Sequence, residues 1–213
     1  MKKGIFFDLD GTLIDSAPDL GTALNATLTD LGLRTHPLDL IRTWIGNGAR
    51  ELVARGLQAS QAPMDQDLMA KALELFFAHY QKRLCHQTRC YDHVPSTLAY
   101  LSHKYPLALI TNKPFAFVGP ILQELGIDGY FQLILGGDSL EAKKPHPLPL
   151  LHACKYFGID PNEAVMVGDS PTDMEAAKRA GVEFIALSYG YSQNSPLHAT
   201  QILHSFDQLR ELL

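Results

Sequence analysis

Five short runs of the sequence are apolar almost without interruption: GIFFD (4–8), LALIT (107–111), QLILG (132–136), AVMVG (164–168) and EFIAL (183–187). Strands covered on one face alternate apolar and polar residues, whereas strands covered on both faces do not. These runs therefore read as buried strands of a parallel sheet. The segments between the last four carry helical spacing. In PFAFVGPILQELG, Phe117, Ile121 and Leu125 recur every four residues up to Gly126. In PHPLPLLHACKYFG, Leu150, Leu151, Cys154 and Phe157 share one face, and TDMEAAKRAG opens on a capping Thr172 or Asp173 and stops at Gly181. Strand and helix in alternation predict an α/β fold with a doubly wound parallel sheet.

The first connection breaks the rhythm, because far more chain separates Asp8 from the second strand than one crossover helix requires. Ser16 and Pro18 open a helix with Leu20, Leu24, Leu28 and Leu31 on one stripe, ending at Gly32. A short helix is expected around ARELVARGL and a long one over DQDLMAKALELFFAHYQKRL. Residues 15–87 are thus expected to form an inserted helical cap domain, with residues 1–14 and 88–213 forming the α/β core.

The balance of residues excludes several classes. A net charge of -5 with no basic run argues against a nucleic-acid partner, since phosphate backbones are gripped by Lys and Arg. No apolar stretch approaches the ~20 residues of a membrane span. Asp8 interrupts the apolar run after Lys2 and Lys3 too early for a signal peptide. Cys85, Cys90 and Cys154 are odd in number and lack C-x-x-C spacing, as expected of reduced thiols in a cytoplasmic protein. A monomer or weak homodimer acting on a small molecule is expected.

Asp8 and Asp10 lie two residues apart where the first strand should end in a dry environment. An unpartnered buried carboxylate costs several kcal/mol, roughly, so something positive belongs beside them. Asp8 closes the first strand, Thr111 the second, Lys144 follows the third and Asp169 the fourth. In a doubly wound sheet these strand ends converge on one crevice. Asp8, Asp169 and the main-chain carbonyl of Asp10 offer hard oxygen ligands for Mg2+. A carboxylate can also attack phosphorus, with Thr111 and Lys144 holding phosphoryl oxygens and the N–H groups of Leu9, Asp10 and Gly11 completing the cradle. Asp8 would face the phosphorus, and Asp10 would protonate the leaving oxygen and then activate water. A hairpin at Asp-Gly is the bland alternative, but the helix starting at Ser16 leaves little room for a return strand. Asp173 reads equally as a helix cap or a site residue. The nine histidines show no ligand pairing, and Trp44 reads as packing.

DLDGT (8–12), Thr111 in LITNKP, Lys144 in KKPHP and GDSPTD (168–173) resemble, in order, the four motifs of the haloacid dehalogenase superfamily. The resemblance implies Asp8 as nucleophile, carrying an aspartyl-phosphate, and Asp10 as general acid/base. It further implies phosphate binding by Thr111, Asn112 and Lys144, and Mg2+ ligation by Asp8, Asp10 (main chain) and Asp169. Asp173 would orient Lys144 and Ser170 would support the metal's water shell. The insertion resembles that superfamily's helical cap, which closes over substrate and excludes water.

TWIGNGAREL (43–52), TNKP, GGD (136–138), KKPHPLPLL and YGY (189–191) are similar to bacterial phosphoglycolate phosphatases. That similarity implies hydrolysis of 2-phosphoglycolate, a small phosphomonoester, to glycolate and phosphate. Asn47, Gly48 and Arg50 of the cap would read the substrate, Arg50 pairing with its carboxylate, while Gly46 and Gly48 let the backbone approach. One departure is RCYDHV (89–94), where a sequence closer to Pro-Tyr-Pro-Gly-Val is expected of the return linker. Alternatives are a phosphatase for another small sugar or organic phosphate and a phosphomutase of the β-phosphoglucomutase type. A metal-independent dehalogenase would leave Asp10 and Asp169 without a purpose. A phospho-accepting receiver domain would lack the helical insertion.

Overall fold

The computed structural model describes residues 2–192 and 197–213. Its sheet has six strands, all parallel, built from the predicted apolar runs and one more. In chain order these are β1 (Gly4–Phe7), β4 (Leu107–Ile110), β5 (Leu133–Leu135), β6 (Ala164–Gly168), β7 (Glu183–Leu187) and β8 (Gln201–Leu203). Their spatial order is β5-β4-β1-β6-β7-β8. The first strand of the chain is therefore central, with Phe7 in register with Leu109 on one side and Val167 on the other. At β1 the chain winds outward in both directions, so the crevice of this sheet opens at its carboxyl end. Strand β8 was not anticipated: it is three residues at an edge, with Gln201 and Ile202 exposed, and carries no continuous apolar signal.

Helices cover both faces. Phe6, Ala108, Ile110 and Met166 pack on one side against Leu150 and Ala153 of α7 (Leu148–Phe157) and Ala176 and Ala177 of α8 (Pro171–Ala180). On the other side Ile5, Phe7, Leu109 and Val165 belong to a larger cluster that continues through Leu9 and Leu13 into the insertion. Helix α5 (Val94–Ser102) adds Val94, Leu98 and Leu101 to it, α6 (Phe115–Glu124) adds Phe117 and Ile121, and α9 (Leu209–Leu212) adds Leu209.

Four helices fill the long first connection: α1 (Ala17–Asp30), α2 (Leu38–Arg42), α3 (Ala49–Ala59) and α4 (Gln66–Gln81). The stripe of α1 is buried at Leu20, Leu24 and Leu28, and the helix packs chiefly along α4. Asp65 caps α4 by accepting from the Leu68 N–H at 2.7 Å. The five residues of α2 are too few to produce a periodicity, which is why the sequence did not announce it.

The two ends of this insertion are tied together. β2 (Ile14–Asp15) and β3 (Arg89–Cys90) form a two-residue antiparallel ladder, pairing Ile14 with Cys90 and Asp15 with Arg89. In the return linker His93 takes up φ 66°, the left-handed conformation usually left to glycine, which costs a residue with a Cβ roughly 1–2 kcal/mol. Asp19, in the first turn of α1, is buried and accepts from the N–H groups of Gln87 and Thr88 at 2.9 and 2.8 Å and from the Thr88 hydroxyl at 2.8 Å. One carboxylate thus fastens the exit of the insertion to its entry. Replacing Asp19 with Ala should lower stability by about 2–4 kcal/mol in urea unfolding, because it strands buried donors. A loss under ~0.5 kcal/mol would mean that water serves those donors equally well.

Candidate active site

Backbone pairing carries the site residues to the sheet's carboxyl edge. The Asp8 N–H donates to Val167 O at 3.0 Å, extending the β1–β6 pairing one residue beyond the strand, and the Thr111 N–H does the same to Leu135 O at 2.9 Å. Asp8, Thr111 and Asp169 thus follow three neighbouring strands, all buried. Lys144 reaches them from the loop after β5: its Nζ lies 2.8 Å from Asp8 Oδ1 and 2.6 Å from Asp173 Oδ1. The other oxygen of Asp173 accepts from the Ser170 hydroxyl at 2.6 Å and the Ser170 N–H at 3.2 Å, within the capping box that begins α8. The N-cap of α8 is thus Ser170, earlier than the Thr172 or Asp173 expected, and Asp173 answers it from the third helical position while its other oxygen bonds Lys144.

Asp169 is framed just as closely. It accepts from the Thr12 hydroxyl at 3.1 Å and from the Tyr191 N–H at 2.7 Å. Gly11, at φ +90°, and Gly190 lie against it. A Cβ at Gly11 would come within 2.5 Å of Asp169 Oδ2, and one at Gly190 within 2.2 Å of Asp169 Cβ. Neither position admits a side chain.

Asp8, Asp169 and Asp173 each present a carboxylate oxygen within 4.8 Å of the others. Three acids face the single ammonium of Lys144, and two of them, Asp8 and Asp169, are raised in pKa. Burial pushes Asp8 up to about 7, against the downward pull of Lys144 and with Asp173 adding to the rise. Asp169 is driven well above the usual carboxylate range by burial, then by Asp173 and Asp8. Burial alone would lower Lys144, but Asp173 and Asp8 outweigh it and keep the ammonium charged. Such a cluster fits a metal cation, which would offset the remaining negative charge. Within it the oxygens of Asp173 are already engaged by Lys144 and Ser170, which favours an orienting part for Asp173.

Residues 5–187 match the haloacid dehalogenase-like hydrolase family. The chain belongs to that family. It is 45% identical to the phosphoglycolate phosphatase of Colwellia psychrerythraea over 216 residues, covering 100% of this chain and 96% of the relative. Its identity to the phosphoglycolate phosphatase of Pasteurella multocida is 44%, covering 99% and 96%. Among solved structures, a predicted phosphoglycolate phosphatase from Haemophilus somnus 129pt superposes with a TM-score of 0.95 at 38% identity, covering 99% of this chain and 97% of that one. The doubly wound sheet is thus the family's fold, and the chain is a hydrolase similar over its whole length to phosphoglycolate phosphatases.

The hydrolase holds further groups at the site that sequence reasoning passed over. Lys113 is buried, and its Nζ bridges the two oxygens of Asp10 at 2.8 and 3.0 Å. Ser16 donates to Asp10 Oδ1 at 2.5 Å. The position of Lys113, two residues past Thr111 at a strand end, was the available signal, obscured because a lysine near a loop is usually solvated. Tyr191 has a hydroxyl that accepts from the N–H groups of Ser16 and Ala17 at 2.8 and 3.0 Å and donates to Asp15 Oδ1 at 2.9 Å.

The loop between α2 and α3 docks directly beside the sheet's carboxyl edge. Asn112 donates its amide to Gly46 O at 3.0 Å and Lys144 O at 2.9 Å, so both amide hydrogens are occupied by carbonyls. Asn47 accepts from Lys143 Nζ at its carbonyl and from the Thr172 hydroxyl at its side chain, each at 2.9 Å. Gly48, at φ +91°, comes so near that a Cβ would sit 3.0 Å from Asn112 O. Arg50 is exposed and lines an outer groove with Phe77, Gln81 and Lys143. The inner cavity, with empty volume of about 460 Å³ including its mouth, is lined by Asp8, Asp10, Thr111, Lys113 and Tyr80, and does not reach Arg50.

Lys144→Met should expose the charge balance. Removing one partner of a buried pair costs about 3–5 kcal/mol. The folded pKa of Asp8, about 7, lies above its unfolded value, so at pH 8 the folded state must bury an ionised carboxylate, and at pH 5.5 a neutral one. In urea unfolding with chelator present, the penalty should be about 1–2 kcal/mol smaller at pH 5.5 than at pH 8. An identical penalty at both would mean that Asp8 is already neutral, or already solvated, at the higher pH.

Proposed function

We propose that this enzyme hydrolyses 2-phosphoglycolate to glycolate and inorganic phosphate, with Mg2+ and through an aspartyl-phosphate on Asp8. One observation carries the reading. Asp8 is a buried carboxylate fixed by Lys144, it shares a cavity with Asp10, and Asp169 lies close enough to hold a cation with it. The whole-length similarity to proteins named phosphoglycolate phosphatase supports the substrate.

In this reading Asp8 attacks phosphorus while the bond to the ester oxygen breaks, and Asp10 passes a proton to that leaving oxygen. Asp10 then takes a proton from the water that attacks the acyl phosphate, which frees phosphate and restores both carboxyl groups. Thr111 and Lys144 hold the phosphoryl oxygens, with Asp173 and Ser170 keeping Lys144 aligned. Asn112 supports them by tying the Gly46 carbonyl to the Lys144 backbone. Mg2+ would be held by Asp8, the Asp10 carbonyl and Asp169, and when bound it supplies positive charge for the transferring phosphoryl group and for ionised Asp8. Leu20, Phe76 and Phe117 give the cavity apolar walls that exclude water from the transfer. The cytoplasm is the compartment we assign, on the strength of three unpaired cysteines.

Asp10→Asn should slow phosphate release from 2-phosphoglycolate by roughly 10²–10⁴-fold, and Asp8→Asn by at least as much, with circular dichroism unchanged. Chelator should stop the parent enzyme. Asp8→Asn turning over near the parent rate would rule out the covalent route. A panel of phosphomonoesters on which 2-phosphoglycolate ranks low would rule out the substrate.

A further inference from the structure

We propose that Lys113, together with the Tyr80 hydroxyl, receives the carboxylate of the substrate, so that selectivity for a short phosphorylated acid is set inside the cavity and not by Arg50. This assignment rests on the reaction proposed above and deepens it.

Substrate geometry makes the first argument. In 2-phosphoglycolate the ester oxygen and the carboxyl carbon are attached to the same methylene. The oxygen that leaves must face Asp10, the acid that protonates it. Its carboxylate, two bonds away, must then lie beside whatever else touches Asp10. Among the described residues two groups do, the Ser16 hydroxyl and Lys113, and of these only Lys113 is cationic and lines the cavity.

A second argument comes from the cavity wall. Among the described residues Lys113 is the only basic side chain lining the cavity, whose remaining wall is largely apolar at Leu20, Ile45, Leu52, Phe76 and Phe117. An anion entering such a space has one cation to meet. Lys144 is committed to Asp8 and Asp173 at the phosphoryl end.

Tyr80 supplies an independent observation. It lines the same cavity from α4, it is 1% exposed, and its hydroxyl faces the Lys113 ammonium without a well-aligned hydrogen bond to any described residue. Its ring stacks on Phe76 at 5.8 Å and lies 5.0 Å from Lys113 Nζ. A buried hydroxyl left unpaired is costly, and a ligand that accepts from it removes the cost. Ammonium and hydroxyl on one wall offer donors for the two oxygens of a carboxylate.

The simpler alternative is that Lys113 does no more than steady Asp10, and the two roles separate by substrate. Ethyl phosphate replaces the carboxylate with a methyl group and keeps the ester. Steady-state kinetics on both substrates should show kcat/KM of Lys113→Met falling on the order of 100-fold further for 2-phosphoglycolate than for ethyl phosphate. Tyr80→Phe removes a single oxygen, and should cut 2-phosphoglycolate about 10-fold further than ethyl phosphate, chiefly in KM. Arg50→Ala should lower the two substrates by the same factor. Equal losses on both substrates in Lys113→Met and Tyr80→Phe would overturn the assignment and leave Lys113 as a positioning residue. Should Lys113→Met fail to fold, the Tyr80→Phe ratio decides alone. A parent enzyme with no preference for 2-phosphoglycolate over ethyl phosphate would overturn the proposed reaction instead, which keeps the two failures apart.

Discussion

Lys144 sits between two buried carboxylates, and the arrangement of the site depends on it. Without that ammonium, Asp8 and Asp173 would be like charges in a dry crevice, where the desolvation of either exceeds what nearby dipoles return. With it, one acid is held at the end of β1 and the other at the start of α8, so that a strand and a helix far apart in sequence are locked at a fixed distance. The pair is incomplete as a balance of charge, because Asp169 adds a third carboxylate to one cation. That residual negative charge suits the cluster to a metal, while burial, with Asp173 adding to the rise, holds Asp8 well above the ordinary carboxylate range.

The core was legible because its physics is local. Strands covered on both faces must be apolar throughout, and the runs at 164–168 and 183–187 coincide with β6 and β7 to the residue. Asp8, Thr111 and Asp169 could be gathered into one site from sequence because a parallel sheet places strand ends together regardless of the chain between them. What stayed hidden was decided by contacts that no local pattern records. Lys113 looks like any loop lysine until Asp10 is seen across from it. Tyr191 looks like an aromatic in a turn until its hydroxyl is found on the first amides of α1. Strand β8 has an exposed Ile202 and no apolar run to mark it.

The loop between α2 and α3 shows the same limit from the other side. Of the two glycines expected to permit close approach, Gly48 meets Asn112, whereas a Cβ at Gly46 would meet nothing within 4 Å. What approaches, however, is the core's own surface: Asn47 is taken up by Lys143 and Thr172, while Arg50 faces the outer groove. A spacing can say that a loop comes near, but the direction of each side chain is settled by packing that the spacing does not contain.

The central position of β1 has a consequence for how this chain is made. β1, the earliest of the six strands, needs β4 and β6 as neighbours, and the Tyr191 hydroxyl that completes the first turn of α1 lies 175 residues beyond Ser16. A ribosome must therefore deliver the chain through Tyr191 before the segment from β1 to α1 can reach its final bonds. Until then, the bare flanks of that segment, Ile5 to Phe7, are an adhesive surface that other nascent chains can find. High sequence separation of this kind slows folding, so the same wiring that unites the site's acids also lengthens the interval in which the newborn protein is vulnerable.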